Sequence, residues 1–194
     1  LELMEKHVKT DGSISYNRQK SEEAPDLIVY IHTGKEGVHA VGHMTFCFEG
    51  RMYSYGNYAK REEKLAGTLG KAVFFTVAPE VYINNSCIYE GSTLYGFGLK
   101  LTGEQAENLH QTLEELTAGM ALWKCPLQQD SDGWQKPEEY MKDYASRLFW
   151  RTGCKFRQFT HGPWQTYWVM GTNCSLFAET VLTAAGCDIP RKKG

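Results

Sequence analysis

The run Gly42-His43-Met44-Thr45-Phe46-Cys47-Phe48-Glu49-Gly50-Arg51-Met52-Tyr53-Ser54-Tyr55-Gly56 decides the fold. Residues 43–48 and 51–55 are two strand-like segments rich in aromatic side chains, and the Glu49-Gly50 pair between them has the composition of a two-residue turn. Such a turn makes an antiparallel hairpin in which residues whose numbers sum to 99 face each other, so that His43 lies opposite Gly56. Alternation then puts Ser54, and residue 58 if the strand continues, on the His43 face, with Tyr55 and Asn57 on the other. A one-residue bulge at Gly56, which glycine permits, swings Asn57 back toward His43.

Working outward, Leu27-Ile28-Val29-Tyr30-Ile31 is a continuous apolar run and reads as a buried strand, and Ala72 to Val77 and Thr93 to Leu101 read as two more. Thr102-Gly103-Glu104-Gln105 has capping-box order, and the stripe Ala106, Leu109, Leu113, Leu116, Met120 follows it, which predicts a helix over 103–118. Cys174 to Ala185, closed by Gly186, predicts a final helix, and Gln165 to Met170 a short strand before it. The expected fold class is α+β, an antiparallel sheet packed against helices. Residues 1–26, polar and without a period, read as an N-terminal arm with at most a short helix, and residues 27–190 as a single domain. Within it, residues 125–165 change character, from the polar Gln128 to Gly133 segment through a helix start at Pro137 to an aromatic, glycine-containing end. They read as an aromatic-rich insertion.

The composition, 42% hydrophobic and 23% charged over 194 residues, is that of an ordinary globular chain. A formal net charge of −2 with mixed signs leaves no electrostatic footprint for nucleic acid. No apolar run approaches the roughly 18 residues of a membrane span, and the N-terminus lacks the basic-then-apolar order of a secretory signal. The expected location is therefore the cytoplasm, or the exterior by a route that needs no signal peptide. Six cysteines are too few for a disulfide scaffold, and with no C-x-x-C pair and no zinc-finger spacing neither a metal nor a cofactor is expected. Most of the six are expected to be free thiols, and Cys125 with Cys154, which bracket the insertion, is the first candidate for a bridge if the protein matures in an oxidising compartment.

Gly171-Thr172-Asn173-Cys174-Ser175 places a cysteine in the first turn of the last helix, capped by Thr172 or Asn173. The unpaired N–H groups and dipole there favour a thiolate, and the same N–H groups can hold an oxyanion. The alternative is a small core residue at a helix start. A thiolate needs an imidazole partner, and among His7, His32, His39, His43, His110 and His161 the best placed is His43, which opens a strand after Gly42. Asn57 ranks first to orient its ring, ahead of Ser54 and Tyr55, with a backbone carbonyl as the alternative.

Gly42-His43-Met44-Thr45-Phe46 with Tyr53-Ser54-Tyr55-Gly56-Asn57-Tyr58, and later Asn173-Cys174-Ser175-Leu176-Phe177-Ala178 with Ala184-Ala185-Gly186, resembles the circularly permuted NlpC/P60-like branch of the papain-like fold. In that branch histidine precedes cysteine, as His43 precedes Cys174 by 131 residues. The resemblance spans about residues 27–120 and 166–188 and leaves 125–165 outside. It implies Cys174 as nucleophile and His43 as base, with no cofactor. It also implies a cysteine-dependent amide hydrolase, a peptidoglycan endopeptidase or amidase acting as an antibacterial effector toxin, with a peptide or peptidoglycan substrate and an immunity protein as potential partner. Two alternatives stand beside it. One is a lipid acyltransferase or esterase using the same pair, with Phe149, Trp150, Trp164, Tyr167 and Trp168 as an apolar access surface. The other is a non-catalytic binding module of the same fold. The family's third polar residue follows the histidine on the next strand, where this chain offers Ser54, Tyr55 and Asn57 and no acidic residue or histidine.

Overall fold

The Glu49-Gly50 turn takes the form that its residues allow. Both have positive φ, 48° and 73°, the left-handed pair that matches the twist of a two-residue hairpin. The paired residues Phe46 and Tyr53, Cys47 and Met52, and Phe48 and Arg51 all sum to 99, the expected register.

The computed structural model describes residues 3–8, 14–18, 24–33 and 43–187, the first two stretches as backbone. In chain order the elements are β1 (Leu3–Val8), β2 (Ile14–Arg18), β3 (Leu27–Thr33), β4 (His43–Phe48), β5 (Arg51–Gly56), β6 (Leu69–Lys71), β7 (Val73–Val77), α1 (Pro79–Asn84), β8 (Thr93–Leu99), α2 (Gly103–Ala118), β9 (Ala121–Trp123), α3 (Pro126–Gln129), α4 (Pro137–Tyr140), α5 (Tyr144–Thr152), β10 (Phe156–Gln158), β11 (Thr166–Trp168) and α6 (Cys174–Ala184). The class is α+β. Nine strands form one sheet in the order β2-β1-β8-β3-β4-β5-β7-β10-β9, antiparallel at every junction, and β11 pairs with β6 in a small second sheet. The hairpin of β4 and β5 thus lies at the centre.

Each face of the large sheet carries its own core. Alternation along β4 sends Phe46 and Phe48 to one face, where they meet Leu109 and Leu113 of α2 and Phe177, Val181 and Leu182 of α6. The other face packs Met52 and Phe75 against Tyr82 and Ile83 of α1 and Leu148 of α5. α2 keeps its capping box, with Thr102 Oγ1 accepting from Gln105 N–H at 3.1 Å and Gln105 Oε1 accepting from Thr102 N–H at 3.0 Å. α6 ends where Gly186 adopts φ 80°, its N–H donating to the Thr183 carbonyl while Cys187 N–H donates to that of Leu182.

Three readings change. β1 and β2 form a hairpin on the edge of β8 instead of an arm with a short helix, because a ladder supplies the pairing that their non-periodic sequences do not advertise. The stretch 125–165 is not wholly outside the sheet, since β10 within it extends the sheet from β7. The aromatic run has also divided: Trp134, Phe149 and Trp150 cluster on the insertion, while Tyr167 and Trp168 belong to β11 near the start of α6. Cys87 lies fully buried in a single π turn, Asn85–Tyr89, that continues α1.

Candidate active site

Cys174 is the first residue of α6, and the cap is Asn173, whose side chain accepts from Leu176 N–H at 2.9 Å and donates to the Val169 carbonyl at 2.8 Å. A cap of this kind contributes about 1 kcal/mol to the helix and here also fixes the direction of the thiol. The loop ahead of it is clasped by Tyr55, ranked in the sequence as a possible orienter of His43. Its hydroxyl instead donates toward the carbonyls of Trp164, Thr166 and Thr172, at 3.1, 3.3 and 3.4 Å, and its ring stacks on Phe177 at 4.6 Å. Gly171 is required in that loop, because a Cβ there would stand 2.4 Å from the Trp168 ring.

The structure brings Cys174 and His43 together. Both are buried, Met44 N–H donates to Cys174 Sγ at 3.5 Å, and His43 stands near enough for its charge and hydrogen bonding to act on the thiol. Burial by itself pushes the thiol pKa up. The charge and hydrogen bond of His43, with help from Met44 N–H and the Ser175 side chain, outweigh it and bring it down to about 6. The other buried thiols go the opposite way, because burial finds no cationic neighbour: Cys87 rises to about 11, Cys154 to about 12, and Cys125 and Cys187 rise as well.

The ring of His43 is held from its far side. Its Nε2 lies 2.8 Å from Tyr58 Oη and 3.2 Å from Ser54 Oγ, which are 2.7 Å from each other, so Nδ1 is the nitrogen left for the thiol. Burial keeps Tyr58 well above the ordinary tyrosine pKa, so it remains a neutral phenol that passes a hydrogen bond on and does not act as a base. Gly56 makes room for this contact, since a Cβ there would stand 2.8 Å from the Tyr58 ring. Beneath it the Tyr58 ring stacks on Tyr144 of α5 at 5.2 Å.

Asn57 is not part of this group, and its placement beside His43 is corrected here. No bulge turns it inward. Asn57 Nδ2 donates to Glu63 Oε1 at 3.2 Å and to the Gly67 carbonyl at 3.0 Å, with its Oδ1 packed against Gly70. It pins the 60–67 loop, in which Lys60 pairs with Glu63. Asn57→Ala is therefore expected to leave kcat within about twofold and to lower stability by about 1–2 kcal/mol, read by thermal melting beside a turnover assay. A tenfold fall in kcat at unchanged stability would restore Asn57 to the site.

The other histidines fall away from the thiol. His32 sits beside His43 on β3, ring centroids 5.1 Å apart, with its Nε2 2.7 Å from Tyr82 Oη. His110 is half-buried and pairs with Glu49 and Glu114, and His161 is exposed beside Thr160. His7 is described only as backbone, and His39 and Gly42 lie outside the described residues. Among the described residues no group of three His, Cys, Asp or Glu side chains is placed to hold a metal ion, and no helix is long and apolar enough to cross a membrane.

One further residue was not singled out as catalytic in the sequence. The Tyr167 hydroxyl lies beside both the Cys174 thiol and its backbone N–H, and burial raises its pKa above the tyrosine range. Around the site stand exposed apolar side chains: Met170 is 78% exposed, Trp168 47% and Leu176 41%. The fold and site together define an α+β protein with a buried, electrostatically matched Cys–His pair at a helix start. No family model, curated protein or solved structure matches the chain.

Proposed function

We propose that this protein is a cysteine-dependent hydrolase of the permuted NlpC/P60-like kind, cleaving an amide bond through a thioester on Cys174. The observation that carries the reading is a buried thiol at the start of α6 set against a histidine whose Nε2 is already held by Tyr58 and Ser54, an arrangement that lowers the thiol pKa. In the resting site the thiolate faces an imidazolium. The thiolate attacks the substrate carbonyl, and the oxyanion that forms is met by the Cys174 N–H at the positive end of α6 and by the Tyr167 hydroxyl. His43 gives its proton to the leaving amine. It then takes one from the water that attacks the thioester, and collapse of that intermediate releases the acid and expels the thiolate, restoring the starting pair. Tyr58 and Ser54 keep the ring in plane throughout.

The stem peptides of peptidoglycan are the substrate class that we place first, with action as an antibacterial effector and a cognate immunity protein as its corollary. The rim of Trp168, Met170 and Leu176 favours a second reading, in which the acyl group is a lipid chain and the same thioester forms from an ester. Incubation with purified peptidoglycan and, in parallel, with phospholipid vesicles, followed by mass analysis, separates the two. New amino termini or free amines from stem peptides, absent with Cys174→Ala, support the first. Fatty-acid release with intact peptidoglycan supports the second. A native protein that reacts with neither, and whose thiol forms no thioester with activated acyl donors, overturns both.

A further inference from the structure

The insertion leaves and re-enters the sheet between two cysteines. β9 and β10 pair antiparallel with Ala121 opposite Gln158, Leu122 opposite Arg157 and Trp123 opposite Phe156. The ladder ends at Trp123 and Phe156, whose rings are 5.6 Å apart, and Cys125, the N-cap of α3, and Cys154, just past the end of α5, each lie two residues beyond that last pair. Both thiols lie in the same core cluster, 0% and 5% exposed, and the charge of Cys125 acts on Cys154. A disulfide spans Cα atoms roughly 4.4–6.8 Å apart, which is the spacing that the bridge requires of these two positions.

We infer that Cys125 and Cys154 are a redox-sensitive pair which, in an oxidising compartment, closes into a disulfide that staples the base of the insertion. In the structure both are thiols. The oxidant is a small disulfide of the glutathione type. One cysteine thiolate attacks a sulfur of oxidised glutathione, forming a mixed disulfide and expelling a glutathione thiolate that takes up a proton. The second cysteine thiolate attacks the protein sulfur of that mixed disulfide, expels the other glutathione and closes the bridge. The protein pair loses two electrons and two protons, and one oxidised glutathione becomes two reduced ones. Because the folded core hides both sulfurs, exchange proceeds as the chain folds. The bridge encloses α3, α4 and α5, and with them Tyr144, the ring on which Tyr58 rests, so it braces the floor of the candidate site.

The test is refolding of the full reduced chain, in a Cys174→Ala background that removes the most reactive thiol, with and without oxidised glutathione. The expected product is lighter by two hydrogens. Peptide mapping joins the peptide that begins at Cys125 to Thr152-Gly153-Cys154-Lys155, and the melting temperature rises by roughly 5–10 °C over the reduced form. Cys125→Ala and Cys154→Ala chains should each lack the species. If either variant fails to fold, the mapping on the parent chain still decides. A bridge between other cysteines, glutathione left attached at Cys125 or Cys154, two free thiols after oxidative refolding, or a bridged form that melts no higher than the reduced one overturns the inference.

Discussion

Cys174→Ala and His43→Ala each reduce turnover by at least about a thousandfold, and the double variant is no worse than either alone, because nucleophile and imidazole act as one unit. Melting temperatures distinguish loss of chemistry from loss of fold. Cys174→Ala removes a small side chain at a helix start whose cap, Asn173, is untouched, so it folds normally. His43→Ala opens a space next to Tyr58 and Ser54 and leaves their hydroxyls a partner short, so it is the less stable of the two. In His43→Ala the Cys174 thiol loses its largest lowering influence, and burial then drives its pKa up toward the range of Cys87. Additive losses in the double variant, or full turnover in Cys174→Ala, would separate the pair from the reaction.

Tyr58→Phe is the second large effect, a fall in kcat of roughly 10- to 100-fold with KM little changed, the scale on which a mis-set catalytic group costs an enzyme. The substitution keeps the ring that stacks on Tyr144 and removes only the hydroxyl 2.8 Å from His43 Nε2. A packing role predicts no change. A positioning role predicts a lower kcat and a displaced acidic limb of the pH–rate profile, since an imidazolium that has lost an acceptor is less well held and lowers the thiol pKa less. Ser54→Ala should act in the same direction and more weakly, its contact being 3.2 Å. A Tyr58→Phe profile that overlays the wild type in both height and position would leave Ser54 as the sole orienter.

The Cys–His pair was legible because both residues sit where local rules are strong: a cap residue followed by a helix marks Cys174, and a two-residue turn fixes the parity of His43. The same parity placed Ser54 and residue 58 on the His43 face. Asn57 was ranked ahead of Ser54 only through a bulge that the chain does not make, and Tyr58 was not weighed as an orienter, although Gly56 serves to admit its ring. Tyr167 was beyond reach because its place beside Cys174 depends on the pairing of β11 with β6, a contact between segments nearly a hundred residues apart whose short strands carry little periodic signal. The N-terminal hairpin was missed for a related reason. The ladder with β8 is non-local, and nothing in Leu3–Val8 or Ile14–Arg18 alternates cleanly enough to announce it.

The pH dependence of Cys174 alkylation tests the central claim most directly. With limiting iodoacetamide and residue-resolved mass analysis, only the thiolate reacts, so the rate at Cys174 should rise through a midpoint near pH 6 and be on its plateau by neutral pH. Cys87, Cys125, Cys154 and Cys187 should stay unmodified across that range, as burial raises all four. In His43→Ala the Cys174 midpoint should move up by two pH units or more, at roughly 1.4 kcal/mol for each unit of lost interaction. A wild-type midpoint near the ordinary cysteine value, unchanged by His43→Ala, would contradict the thiolate–imidazolium pair and with it the proposed chemistry.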